Sequence, residues 1–130
     1  MNYYQSKQVE AKSIQEVREQ IEEKLKNEGF GILTEIDIQA TMKKKLDKSY
    51  PPFLILGACN PVFADKVLSI EPQIATLLPC NVVIRETEKN KYDVSLMDPS
   101  TAMSVVKNPE IEGFAVEVRE KLMRALNGLS

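Results

Sequence analysis

The fold is constrained most by residues 53–61, which carry the sequence FLILGACNP. Apolar side chains occupy both parities of Phe53–Cys59, a pattern typical of a central β-strand that is covered on both sides. Asn60-Pro61 ends the strand and starts a helix, because asparagine is a favourable N-cap and proline fits the first helical position. The stretch therefore predicts a buried strand that runs directly into a helix, with Cys59 and Asn60 at the junction.

Upstream of this junction the sequence predicts a strand, a helix, a strand and a short helix. Asn2–Val9 is predicted to be an edge strand. A capping box at Ser13 starts an amphipathic helix, which ends at Gly29, where a left-handed C-cap suits glycine. Phe30–Ile38 alternates between apolar and polar residues, as a half-covered strand does. Asp37 is placed to cap the short helix that follows.

Downstream of the junction the sequence predicts a β-hairpin and a long final helix. A short apolar segment, Ile74–Leu78, precedes the two hairpin strands, Cys80–Thr87 and Tyr92–Met97. Asp98-Pro99 and Asn108-Pro109 repeat the combination of a cap and a proline, and the second begins a long amphipathic helix.

The element order predicts one α+β domain over residues 1–130. The hairpin and the alternating faces favour a roughly five-stranded, mainly antiparallel sheet. The first and last helices are both amphipathic and need an apolar surface to cover, which predicts that these two main helices pack on one face of the sheet. Short helices connect the remaining strands.

Composition excludes several classes of function. The 130 residues include no histidine, so imidazole-based catalysis, histidine-ligated metals and histidine pH switches are ruled out. A net charge of −2 is the wrong sign for a protein that binds nucleic acid over its whole surface. No secretory signal or membrane-length apolar run is visible, so the expected location is the cytoplasm, where the two cysteines stay reduced.

Two Cys-Asn dipeptides form the first candidate site. Cys59-Asn60 and Cys80-Asn81 each lie at the boundary of a predicted strand. The helix that follows Cys59 would stabilise a thiolate through its N-terminal dipole, and the two thiols would face each other across a cleft if their strands are neighbours. The structural alternative is that both cysteines are inert core residues.

A second candidate site consists of carboxylates on the predicted sheet. Glu35 and Asp37 share one parity of their strand, and Arg85 and Asp93 lie on the non-core parity of theirs. If these parities coincide on the face without helices, the carboxylates suit acid–base chemistry or a cation. The alternatives are a solvated face with cross-strand ion pairs or a dimer interface. Lys43–Lys45 is best explained as the solvated face of the short helix.

Five stretches together resemble the bacterial family known as domain of unknown function 302. They are Gly29-Phe30-Gly31, residues 35–46 (EIDIQATMKKKL), residues 56–61 (LGACNP), residues 78–83 (LPCNVV) and Asp98-Pro99. The resemblance implies a strand–helix–four-strand–helix fold like half of the TATA-box-binding protein, which by itself says nothing about DNA binding. It also implies that the family's signature positions are Glu35, Asp37, Cys59, Asn60, Pro61, Pro79, Cys80 and Asn81.

Three hypotheses of function follow, and none of them specifies a cofactor. The first is a domain, expected to form a homodimer, that binds a small molecule in a cleft near Cys59 and Cys80, with Asn60, Asn81 and either Glu35 or Asp37 contributing polarity. The second is a thiol-dependent enzyme with Cys59 as nucleophile and Cys80 as its partner. The third is a soft-metal site, which ranks last because two thiolates leave the usual four-ligand shell of zinc incomplete.

Overall fold

Local signals set the ends of the secondary-structure elements in the computed structural model, which describes residues 2–130. The strands are β1 (Tyr4–Glu10), β2 (Gly31–Asp37), β3 (Phe53–Cys59), β4 (Cys80–Glu88) and β5 (Lys91–Met97). The helices are α1 (Ile14–Asn27), α2 (Ile38–Leu46), α3 (Pro61–Ile70), α4 (Pro99–Met103) and α5 (Pro109–Asn127). Short 3₁₀ helices cover Pro72–Leu77 and Ser104–Val106.

The predicted caps are the observed ones. Ser13 accepts a hydrogen bond from the backbone N–H of Glu16 at the start of α1, and Asp37 accepts one from Ala40 at the start of α2. Asn108 accepts hydrogen bonds from the N–H groups of Glu110 and Ile111 at the start of α5. Side-chain caps satisfy backbone donors that lack helical partners, which is why these residues mark helix starts in the sequence.

The five strands form one antiparallel sheet in the order β1-β5-β4-β3-β2. Helices α1 and α5 cover one face of it, and the main core lies between them and the sheet. The side chains of this core that are almost fully buried include Ile21, Leu25, Leu56, Val82, Ile84, Val94, Leu96, Leu122 and Leu126. Each buried side chain of this size stabilises the fold by roughly 1.5–3 kcal/mol. The prediction of an α+β domain with two main helices on one face is confirmed.

The opposite face of the sheet is not covered by a helix. In β3, Leu54, Leu56 and Ala58 face the main core and are buried, whereas Phe53 and Ile55 point to the other face and are only half-buried. The prediction that this strand is covered on both sides is therefore wrong. The apolar residues of the second parity lie beside those of neighbouring strands instead, since Ile55 pairs with Val83 and Ile36. The expected homodimer stays a prediction.

A β-bulge in β2 changes which residues share a face. The register of β2 against β3 shifts between Ile32 and Thr34, so that Ile32 pairs with Ala58 and Thr34 with Gly57. One extra residue reverses the alternation that follows, because successive side chains point to opposite faces. The uniform alternation predicted for this strand therefore does not hold beyond the bulge.

A second, smaller hydrophobic cluster lies at the end of the sheet where β3 finishes and β4 begins. It joins α3, the first 3₁₀ helix, α4 and the N-terminal half of α5, and its buried members are Val67, Ile74, Met103, Ile111 and Ala115. The apolar segment predicted at 74–78 contributes Ile74, which is 1% exposed. Within residues 2–130, none of the helices is both long and apolar enough to cross a bilayer.

Hydrogen bonds to the side chain of Asp98 connect this second cluster to the sheet. Its carboxylate is 5% exposed and caps α4 through the N–H groups of Ser100 and Thr101. It also accepts hydrogen bonds from Gln5 of β1 at 3.2 Å and from Arg119 of α5 at 2.9 Å. Burial opposes the charged form, but these donors outweigh burial and lower the pKa of Asp98 below its usual value.

Replacing Asp98 should destabilise the fold in a pH-dependent way. At pH 7 we expect Asp98→Asn to reduce the free energy of unfolding by about 2–3 kcal/mol, because the charge-assisted bond from Arg119 is lost and a new amide NH2 group faces the donors of Gln5 and Arg119. The amide oxygen can still cap α4, since asparagine is as good an N-cap as aspartate. A lowered native pKa stabilises the protein fully above the unfolded value of about 3.9, and this contribution disappears as the pH falls through the native value. Denaturant unfolding at pH 7, 5 and 3 measures the difference between the two proteins.

The matched control is Asp65→Ala, since Asp65 is exposed on α3 and its side chain makes none of the hydrogen bonds described for residues 2–130. We expect the control to change stability by under about 0.5 kcal/mol at every pH. A difference between wild type and Asp98→Asn that stays constant from pH 7 to pH 3 would contradict the assignment.

Candidate functional site

A small apolar pocket lies between the main core and the second cluster. The ends of β3 and β4 form one wall, through Ala58, Cys59 and Cys80, and α3 and α5 form the opposite wall. Its volume is about 50 Å³. A further set of side chains completes the lining: Phe30, Asn60, Phe63, Ala64, Val67, Leu78, Pro79, Pro99, Met103, Ile111, Phe114, Ala115 and Val118. Asn60 is the one side chain among them that carries an amide, so the pocket is suited to apolar groups.

Both cysteines border this pocket, but they do not form a pair. Both thiols are free, with Cys80 buried and Cys59 half-buried. Cys80 lies opposite Ala58 in the sheet, and Cys59 is one residue further along β3, so the two cysteines are not cross-strand partners. The expectation that the two thiols face each other across a cleft is wrong, because one residue of offset in the register separates them.

The environment of the thiols disfavours their charged form. Burial raises the pKa of the Cys80 thiol to about 11, with a smaller contribution from Cys59, and burial also raises the pKa of Cys59. The sequence predicts the opposite for Cys59, on the ground that the start of α3 stabilises an anion. Removal of water by the apolar lining dominates instead. Both thiols are therefore protonated at neutral pH.

Asn60 connects the pocket to the end of α1. Its side chain is 9% exposed, accepts a hydrogen bond from the N–H of Phe63, and donates one to the carbonyl oxygen of Glu28. Gly29 has a φ of +86°, and a Cβ placed there would lie 3.1 Å from Nδ2 of Asn60. Asn60 is the N-cap of α3 as predicted, and Gly29 has the predicted left-handed conformation at the end of α1, directly after the C-cap Glu28. The two helix ends lie against each other.

Gly57 and Pro79 form a second close contact beside the pocket. A Cβ on Gly57 would lie 2.6 Å from Cγ of Pro79 and would overlap the hydroxyl of Thr34. The absence of a side chain on Gly57 therefore lets Pro79 lie against β3, next to Cys80. Pro79, which the family resemblance includes among the signature residues, is a lining residue of the pocket.

The remaining predicted site residues lie elsewhere. Asn81 is exposed on the uncovered face of the sheet, beside Arg85 in a shallow depression of about 430 Å³. Glu35 forms an ion pair with Arg18 of α1, and Asp37 caps α2. The structure thus brings together Cys59, Asn60 and Cys80, and it separates Asn81, Glu35 and Asp37 from them.

The carboxylate site expected on the helix-free face does not form as predicted. Arg85 and Asp93 do lie there, with 3.8 Å between the guanidinium and the carboxylate. The β2 bulge turns Glu35 towards α1, on the other side of the sheet, where it reaches Arg18. What remains on the open face is a cross-strand ion pair, the structural alternative that the sequence left open.

The described part of the chain, residues 2–130, brings no group of three Cys, Asp or Glu side chains together in a way that could hold a metal ion. Among the described residues, Cys59 and Cys80 therefore do not belong to a three-ligand group. The soft-metal hypothesis requires such a third ligand.

The sequence alone does not identify three further residues of the site. Phe63 and Phe114 line the pocket from α3 and α5, with their ring centroids 6.3 Å apart in an edge-to-face arrangement. Lys66 lies over both rings, with Nζ 5.4 Å from each centroid. Helical periodicity places Phe63 and Phe114 on core faces, but their contact depends on how α3 crosses α5. The spacing of three between Phe63 and Lys66 was the available signal, since such residues are neighbours on a helix.

The fold and the pocket define a class: a one-domain α+β protein with a half-covered antiparallel sheet and an apolar pocket at one end. The family model "Domain of unknown function DUF302" matches residues 5–129, and the chain belongs to this family. The structure is similar to the "Crystal structure of uncharacterized conserved protein DUF302 from Bacillus stearothermophilus", with a TM-score of 0.89, 27% sequence identity and 98% of each chain covered. No curated protein matches the sequence.

Thiol reactivity tests the electrostatics of the pocket. Because the pKa of Cys59 is raised, iodoacetamide should label this thiol slowly at pH 7 and faster at alkaline pH. Cys80 is buried and its pKa is also raised, so it should be labelled only when the protein unfolds. Mass spectrometry of Cys80→Ser across a pH series gives the midpoint for Cys59, which we expect above the usual value of about 8.5. Glutathione in the same tube is the control, and a Cys59 midpoint below that of glutathione would contradict the account.

Two glycine substitutions test the contact between Gly57 and Pro79. Gly57→Ala should lower the free energy of unfolding by about 2–3 kcal/mol, because the new methyl group would overlap the hydroxyl of Thr34 and the ring of Pro79, which cannot rotate away. Gly113→Ala is the matched control: Gly113 lies inside α5 with nothing within 4 Å of a Cβ, so it should stabilise by about 0.5–1 kcal/mol. Equal effects of both substitutions in thermal or denaturant unfolding would refute this contact.

Proposed function

We propose that this protein is a small binding domain that accommodates a short apolar group in the pocket beside Cys59 and Cys80. The observation that carries the proposal is the composition of the pocket, in which carbon and sulfur atoms from strand ends and helices surround a space without a charged group among the lining residues. Ligand sites are typically apolar concavities with few polar groups, and this pocket has that character.

The size of the pocket limits the ligand. The volume of the pocket is about 50 Å³. This is small beside the roughly 300–1,000 Å³ of typical ligand pockets. A short alkyl chain or one apolar side chain of a larger molecule fits the available space, and the rest of such a molecule would remain outside.

A thiol-dependent enzyme is the alternative, and the pocket favours it less. The nucleophile in such chemistry is the thiolate, and both thiols here have raised pKa values. The offset of Cys59 and Cys80 also leaves no resolving partner next to a candidate nucleophile. In a binding domain, by contrast, protonated thiols act as small apolar surfaces, which is how buried cysteines commonly behave.

Titration with hexan-1-ol tests the proposal. We expect saturable shifts in ¹H–¹⁵N spectra at residues lining the pocket, with a dissociation constant of about millimolar order, as suits a ligand of this size. Ala64→Leu should weaken binding by about tenfold or more, because Ala64 lines the pocket from α3 and the larger side chain fills it.

The matched control is Ala40→Leu, since Ala40 is an exposed alanine of α2 outside the pocket. This variant should bind hexan-1-ol as wild type does. Absence of saturable shifts in the wild type, or equal affinities in Ala64→Leu and Ala40→Leu, would be incompatible with a ligand in this pocket.

A further inference from the structure

The ammonium group of Lys66 lies beside the pocket, over two of its lining rings. Lys66 lies on α3, one turn after Phe63, and its ammonium group is 5.4 Å from the ring centroids of both Phe63 and Phe114. Both rings line the pocket. A cation over two aromatic faces is held by the ring quadrupoles, so the ammonium group stays near the pocket without an acidic partner.

Lys66 forms no ion pair with a carboxylate of the described residues. The ion pairs of the described residues 2–130 do not include it, although Asp65 precedes it in α3 and Glu110 and Glu117 flank Phe114 in α5. Several other basic side chains of the chain do have acidic partners, such as Arg119 with Asp98 and Arg124 with Glu28. An exposed cation without a partner, next to an apolar cavity, is suited to the head group of a ligand whose tail lies in that cavity.

We propose that the ligand is an amphipathic anion, whose short alkyl chain enters the pocket beside Phe63 and Phe114 and whose terminal anionic group contacts Lys66. This inference rests on the proposed function and adds the class of ligand to it. The apolar lining binds the alkyl chain by removing it from water, and Lys66 selects the charge of the head group.

The expected selectivity is modest, because the ammonium group is exposed to water. Ion pairs in such places contribute about 0.2–1 kcal/mol, which corresponds to a change in affinity of up to about fivefold. The contribution should also fall as salt increases, since exposed charges are screened. An apolar ligand of the same length gains nothing from Lys66. Its affinity should therefore not change with salt or with replacement of Lys66.

Three probes of equal chain length separate the head group from the chain: hexanoate, hexan-1-ol and hexylammonium. In the 130-residue protein at pH 7, we expect Lys66→Gln to weaken hexanoate binding by about threefold to fivefold and to leave the affinity for hexan-1-ol unchanged. Lys66→Glu should go further and bind hexylammonium more tightly than hexanoate. The matched control is Lys44→Gln, an exposed lysine of α2 outside the pocket, which should not change the affinity of any probe. Spectral titration at 20 mM and 300 mM NaCl measures all of these affinities.

The outcomes distinguish this inference from the function on which it rests. If hexan-1-ol and hexanoate both bind the wild type in the pocket but Lys66→Gln and Lys66→Glu bind hexanoate as wild type does, the pocket is a ligand site and the role of Lys66 is refuted. If none of the three probes binds the wild type, the proposed function itself fails, and the inference fails with it.

Discussion

The buried carboxylate of Asp98 is the interaction on which the rest of the arrangement depends most. It accepts hydrogen bonds from four donors, which belong to β1, α4 and α5. A carboxylate that is 5% exposed is tolerated only when such donors replace the water that it loses. The consequence is that α4 and the middle of α5 are held at the end of the sheet, which gives the second hydrophobic cluster its position.

The pocket is a product of this arrangement. Helices α4 and α5 supply the wall that includes Met103, Ile111 and Phe114, and the strand ends supply Ala58 and Cys80. On the far side, the contact of Asn60 with Gly29 fixes where α3 begins. Two separate polar anchors therefore determine the distance between two apolar surfaces. The space left between them is about 50 Å³.

Much of the fold follows from local sequence signals. The caps at Ser13, Asp37 and Asn108, and the hairpin after Cys80, depend on residues close together in the chain, and they are observed where the sequence predicts them. The prediction of which side chains share a face fails where one extra residue in a strand reverses their directions. The bulge in β2 reverses the direction of Glu35, and no residue type in that strand marks the bulge in advance.

The candidate site was predictable only in part. Cys59, Asn60 and Cys80 lie at strand boundaries, and the sequence places them near one another because their strands are neighbours. The direction of each thiol depends on register, and the pKa of each thiol depends on burial by helices that are distant in sequence. Phe114 and Lys66 meet only through the crossing of α3 and α5, a long-range packing feature that periodicity does not encode.

The most direct test of the account is the location of bound hexan-1-ol. Intermolecular nuclear Overhauser effects between its alkyl protons and protein methyl groups report contacts within about 5 Å. We expect contacts with the methyl groups of Ala58, Ala115 and Val118, which line the pocket. Contacts with Ile36, Ile55 and Val83 instead would place the alcohol on the uncovered face of the sheet and contradict the assignment of the pocket as the binding site.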